Sequence, residues 1–240
     1  MKRSARPRLF SRLSVRPRPG NRAQGWLAAG AQRIPVALGR AGIKANKREG
    51  DGGTPRGCFH PVRIWWRADR GPRPITSLPI RYIGPTDAWC ENPADRRYNR
   101  PFALVPGKLA RDISADLGYT RDRYHAPNQK VRARTADKFT QSAQAGLLSA
   151  KPVPTPDQVR GRLFAERALT DRLWRDDYLY DLIVEIDHNT RPRIAGRGSA
   201  VFIHIARPGL APTAGCVALP GARLRWLIAH IGRKTKIIIQ

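Results

Sequence analysis

The first 48 residues contain no aspartate or glutamate, and neither does the stretch from His188 to Gln240. All 18 acidic residues fall between Glu49 and Asp187, while the 45 Lys and Arg run the length of the chain, for a formal net charge of +27. A chain this basic calls for an anionic partner: nucleic acid, an acidic membrane surface or an anionic wall polymer. Composition does not choose among them. Long apolar runs are missing too. No stretch approaches the ~20 apolar residues of a membrane-spanning helix. No secretory signal is readable either: Arg and Pro interrupt Met1–Arg18 before an apolar segment forms, and Gln32, Arg33 and Pro35 break Gly25–Leu38.

Cysteine is scarce, with three in 240 residues. No two of them have metal-ligand spacing, and nothing near Cys58-Phe59-His60 completes a zinc set, so no metal is expected. In an oxidising compartment Cys58 and Cys90 can pair and leave Cys216 free; in a reducing one all three are thiols. The length suffices to bury a core without such staples. With 21 Gly and 21 Pro, many turns and short strands are expected, not a coiled coil or a membrane bundle. No internal repeat is visible.

Residues 1–12 read as a basic, disordered tail and 13–240 as a single domain. Leu13–Val15, Ile34–Leu38, Phe59–Trp66, Tyr178–Asp187, Ala200–Ala206 and Lys236–Ile239 read as strands. Glu49 to Gly57 reads as a turn cluster, since its glycines match neither phosphate-binding order. Trp89 to Pro101, dense in Asp, Arg, Tyr and Asn, reads as an ordered polar loop. Leu224, Leu227, Ile228 and Ile231 fall at i, i+3, i+4 and i+7 and predict one apolar helical face. Residues 103–167 read as a partly helical insertion. Thr155-Pro156-Asp157-Gln158 gives it a helix start, with Val159, Leu163, Phe164 and Leu173 as a sparse stripe.

The chemistry concentrates in His204-Ile205-Ala206-Arg207-Pro208-Gly209-Leu210-Ala211-Pro212-Thr213-Ala214-Gly215-Cys216. A strand histidine is followed, after a Pro- and Gly-bent loop, by Gly-Cys at the entry to another apolar run. A cysteine at a sharp Gly turn suits a nucleophile whose neighbouring amides face a developing oxyanion, with His204 folded back as base. Carboxylate-free surroundings would favour its thiolate. Taken alone, the same residues also fit a small buried Cys216 and a satisfied strand histidine.

Thr213-Ala214-Gly215-Cys216-Val217-Ala218-Leu219, with His204 upstream, resembles the active-site segment of the L,D-transpeptidase catalytic domain, the YkuD-like family. Thr54-Pro55-x-Gly57-x-Phe59, Tyr180-Asp181-Leu182-Ile183-Val184 and the helix–strand finish are similar to that family in the same order. The blocks around Trp89–Pro101 and Trp174–Asp187 resemble a short proteobacterial branch of it. The usual His before Gly-Cys is Ala214 here, and an Arg common two residues after the Cys is Ala218. The loop from His204 to Gly215 is shorter than usual.

The resemblance implies a mainly β fold: a sandwich or barrel-like mixed sheet with a C-terminal helix. It implies peptidoglycan L,D-transpeptidation through a thioester on Cys216, with His204 as base. Gly215 and Cys216 would supply oxyanion amides, and Thr213 and Arg207 would contact substrate. The partners would be peptidoglycan stem peptides, in the periplasm. No cofactor, no nucleic acid and a monomer are expected. The product is either a link between two diaminopimelate residues, a link from the L-Ala carbonyl, or a hydrolysed stem. The rival readings are a basic nucleic-acid-binding protein, with Trp26, Trp65 and Trp66 as stacking surfaces, and an inactive wall-binding domain.

Overall fold

The computed structural model describes residues 7–104 and 170–240. They belong to one compact unit formed by Met1–Leu104 and Ala168–Gln240. The proposed insertion, its helix start at Thr155 and the stripe residues Val159, Leu163 and Phe164 lie outside the described residues. Leu173 is described, and is fully buried.

Strands dominate, as expected. The large sheet uses β1 (Arg12–Arg18), β2 (Asn21–Ala29), β3 (Gln32–Ala37), β6 (Gly57–Phe59), β7 (Pro61–Trp66), β8 (Ile80–Tyr82), β12 (Leu182–Ile186), β13 (Phe202–Ile205), β14 (Val217–Leu219) and β15 (Lys236–Ile239). Its order is β6-β15-β1-β2-β3-β14-β13-β12-β7-β8. The β1·β15, β13·β14 and β7·β8 pairs are parallel and the others antiparallel. The sheet curls into a half-barrel. A small antiparallel sheet, β10 (Pro101–Ala103), β9 (Asp87–Cys90) and β11 (Thr170–Arg172), and a two-stranded pair, β4 (Ile43–Lys44) and β5 (Thr54–Pro55), complete the strands.

Side-chain alternation along each strand gives the large sheet two different faces. One face carries Leu13 and Val15, Leu27, Ile34, Ile203, Val217, Val184 and Ile237, all buried in one cluster. Helix α1 (Gly221–Ala229) packs there through Leu224, Leu227 and Ile228, and Ile231 joins just past its end. Each such leucine contributes about 2 kcal/mol by leaving water.

The other face holds Trp65, Ile183, Phe202 and Cys216 in a second cluster with Trp89, Leu173 and Tyr180. The Trp89–Pro101 segment therefore differs from its reading as a polar loop. Trp89, Cys90, Tyr98 and Asn99 are buried there, and between them Ala94, Arg96 and Arg97 face water. Order also reaches back before β1. The amide of Phe10, within the stretch read as tail, donates to His230 O at 2.8 Å, and its ring packs on Trp226.

Candidate active site

Register brings the histidine and the cysteine together. In the parallel β13·β14 pair Ile203 lies opposite Val217 and His204 opposite Ala218, so Cys216 falls beside Phe202. His204, Phe202, Cys216 and Ala218 therefore share one face of two neighbouring strands. The connection doubles back through a short 3-10 turn, Pro208–Leu210, before reaching Thr213.

Three contacts build the turn that presents the cysteine. The Thr213 hydroxyl donates to Cys216 O at 2.7 Å and accepts from the Gly215 amide at 3.1 Å. The Thr213 amide donates to Leu38 O, and the Arg40 amide to Thr213 O. Gly215 sits at φ +149°, where a Cβ would lie 2.8 Å from Gly53 O. No side chain fits there without moving backbone. Gly53 is itself held in place: the hydroxyl of its neighbour Thr54 accepts from the Gly39 amide at 2.8 Å, which ties the Thr-Pro turn to the Gly-Cys turn.

These contacts bear on two residues expected to meet the oxyanion or the substrate. The Gly215 amide is occupied by Thr213, which leaves the Cys216 amide as the oxyanion candidate of the two. Thr213 itself is buried and braces the turn from within instead of facing a substrate.

The thiol of Cys216 is buried, donating to Ala200 O at 3.1 Å and accepting from the Phe202 amide at 3.3 Å. Burial outweighs the neighbouring cations and pushes the thiol up to about 12. The basic surroundings do not set the resting state of the thiol: burial is the largest influence on it, and Lys47 opposes burial less than the Phe202 amide does. All three cysteines are free, Cys58 exposed and Cys90 buried, so Cys58 and Cys90 do not pair.

His204 is buried as well. Its Nδ1 lies 2.8 Å from Ile205 O, so that nitrogen carries the proton and Nε2 keeps its lone pair. The ring stands edge-on to Tyr180 at 5.2 Å. Tyr180 in turn donates to Asp171 at 2.6 Å and lies under the Arg175 guanidinium, which pairs with Asp177. Arg207 reaches Asp177 at 3.8 Å and lines a groove of about 340 Å³ with Tyr178, Ile205 and Leu210.

Burial holds His204 down at about 4, and does the same to His188. An unfolded histidine titrates near 6.5. Between those values the unfolded chain binds protons that the folded one does not, so stability is lost as pH falls below 6.5. For His204 alone the loss approaches about 3 kcal/mol by pH 4. Melting temperature is expected to fall steadily from neutral pH toward pH 5, with a shallower slope in His204→Gln. A wild-type melting temperature that is flat over that interval contradicts the assignment.

Sequence reasoning missed Lys47, Asn99 and Ala200. Lys47 is buried, its ammonium donating to Arg48 O and Asp51, both at 2.7 Å, and its chain passes close to Gly215. Nothing in the sequence around Lys47 distinguishes it from its basic neighbours. Asn99 was within reach, since it lies in the Trp89–Pro101 block singled out for its polar density.

A family model described as the L,D-transpeptidase catalytic domain matches residues 23–239. The chain belongs to that family. No curated protein and no solved structure matches it. L,D-transpeptidases of this family are cysteine-dependent acyltransferases of peptidoglycan cross-linking, and they act on the cell wall, typically outside the cytoplasm. Among the described residues no helix is long and apolar enough to cross a membrane.

Proposed function

We propose that this L,D-transpeptidase joins two stem peptides through a thioester on Cys216. The observation that carries the reading is the placement of His204 and Cys216 on one face of adjacent parallel strands, with the imidazole neutral and Nε2 unprotonated. Because the resting thiol is protonated, attack and deprotonation are coupled. Sγ bonds to the carbonyl carbon of an L-residue joined to a D-residue, and the thiol proton passes to His204 Nε2. The developing oxyanion faces the Cys216 amide. His204 then hands the proton to the departing amine of the D-residue, leaving the thioester.

The second half runs in reverse. An acceptor amine, that of diaminopimelate, attacks the thioester carbonyl and gives its proton to His204, which returns it to the leaving sulfur. Arg207, half-exposed at the groove, is placed to meet a stem-peptide carboxylate. Ala214 and Ala218, where the family carries larger side chains, are compatible with a linkage from the L-Ala carbonyl as well as the common one. The reaction is placed in the periplasm, where its substrate lies, and is carried out by a monomer.

Incubation with purified sacculi, followed by mass spectrometry of muropeptides, tests this. New dimers are expected, each formed with release of a D-residue or of the fragment beyond L-Ala. Products terminated only by water would make the protein a peptidase.

A further inference from the structure

The two carboxylate-free ends of the sequence become neighbours in space. The parallel β1·β15 pair joins them, and β2 and β3 extend the same region of sheet. On the face turned away from α1 this region carries exposed Arg12, Arg16, Arg33 and Lys236. Arg12 and Lys236 are register partners on adjacent strands, and Arg33 lies across from Ala28. None of the four has a carboxylate partner among the described residues. Arg16 faces instead a neutral group: with the Gln240 amide turned so that its oxygen accepts, Arg16 Nε and Nη2 meet it at 2.8 and 2.7 Å.

Between the cations the surface is low and weakly apolar: Ser14 and Ala28 in one row with Ile238, Trp26 and Pro35 in the next, all half-buried. The Trp26 ring is covered by the Arg33 guanidinium at 5.1 Å, so its face is not free to stack on a base or a sugar. What this face presents is a cluster of exposed positive charge around a weakly apolar floor that includes the Trp26 indole.

We propose that the β15-β1-β2-β3 face docks on the anionic headgroup layer of a phospholipid bilayer. An array of exposed Arg and Lys around small and aliphatic residues, without a carboxylate, complements a densely anionic surface. Tryptophan and arginine are residues that membrane–water interfaces favour. A stacked base would need the ring face that Arg33 occupies. β3 of this face is the direct neighbour of β14, so docking would hold the enzyme at the membrane with the site on the adjoining strands.

The test uses the full chain with vesicles of phosphatidylglycerol in phosphatidylcholine, against phosphatidylcholine alone, followed by sedimentation. Salt-sensitive binding to the anionic vesicles only is expected. Each cation is worth about fivefold, so R12Q/R16Q/R33Q/K236Q should weaken binding several-hundred-fold. A control, R73Q/R96Q/R223Q/R233Q, removes four exposed cations from elsewhere and should change affinity by less than that first substitution step. Three results would overturn the proposal: no binding to anionic vesicles, an equal loss in both variants, or charge-face-dependent capture of a single-stranded oligonucleotide without vesicle binding. Cys216→Ser is expected to bind vesicles as the wild type does, which separates this surface from the chemistry.

Discussion

Cys216→Ser is expected to fold as the wild type does and to form no covalent acyl-enzyme. A serine hydroxyl can still donate to Ala200 O and accept from the Phe202 amide, so the two polar groups that flank the thiol keep a partner. Only the nucleophile is lost. Intact-mass measurement after exposure to a carbapenem should show the adduct on the wild type and none on the variant. The wild-type protein should also alkylate slowly with iodoacetamide at neutral pH. A thiol held near 12 is almost entirely protonated there, so the rate should climb about tenfold per pH unit up to at least pH 9. A rate already flat at neutral pH would mean a resting thiolate and would sink the coupled proton transfer proposed above. His204→Ala sharpens the distinction. It should cut acylation by substrate about 10²–10⁴-fold, as loss of a general base does. Alkylation at high pH, where hydroxide does the deprotonating, should be nearly unchanged.

The two halves of that site were legible to different degrees. His204 sits in Ala200–Ala206, an apolar run whose strand character is local, and Gly215-Cys216 opens another such run. Proximity in sequence suggested a loop that folds the histidine back. The fold achieves this through a parallel pairing whose register sets Cys216 beside Phe202, and register depends on which strands become neighbours. The protonation state was misread for a related reason. Carboxylate-free sequence predicts a stabilised thiolate, but burial beneath Phe202 and Tyr180 dominates, and burial is a property of tertiary packing. Helix α1 and strands β1, β3 and β15 were readable because an apolar period of 3.6 or 2 is a local signal. The small β10-β9-β11 sheet was not. Its strands are three or four residues long, too short to show an alternating apolar pattern, and β11 pairs with β9 across a long gap in the chain. The meeting of the two acid-free ends at β1·β15 is equally non-local: a charge count along the chain records both ends and cannot tell that they touch.

Asn99→Ala is expected to be among the most destabilising single substitutions in the protein. The Asn99 side chain is buried at the junction of three segments. Its Oδ1 accepts from Trp89 Nε1 at 3.0 Å and from the Ala200 amide at 3.2 Å, while Nδ2 donates to His188 O at 3.1 Å and Asn189 O at 2.9 Å. Alanine leaves all four groups without that partner, and a buried polar group left unpaired costs about 1–3 kcal/mol. The backbone adds to this. Asn99, Asn189 and Ala200 all have left-handed φ, +52°, +50° and +50°, a region that asparagine tolerates and alanine resists by about 1 kcal/mol. Asn99 thus clamps two other strained residues while occupying the same conformation itself. The sum is about 4 kcal/mol or more, a fall in melting temperature on the order of 10 °C for a chain of this size. A fall of only a degree or two would show that water or neighbouring groups replace the amide. The same clamp reaches the chemistry, because Ala200 O is the acceptor for the Cys216 thiol. Asn99→Asp keeps the Oδ1 contacts to Trp89 and Ala200 and sets its second oxygen against two carbonyls. It should destabilise the fold as well, yet leave the pH profile of Cys216 alkylation closer to wild type than Asn99→Ala does at a temperature where both remain folded. Equal profiles in the two variants would limit Asn99 to holding the fold, with no part in placing the thiol.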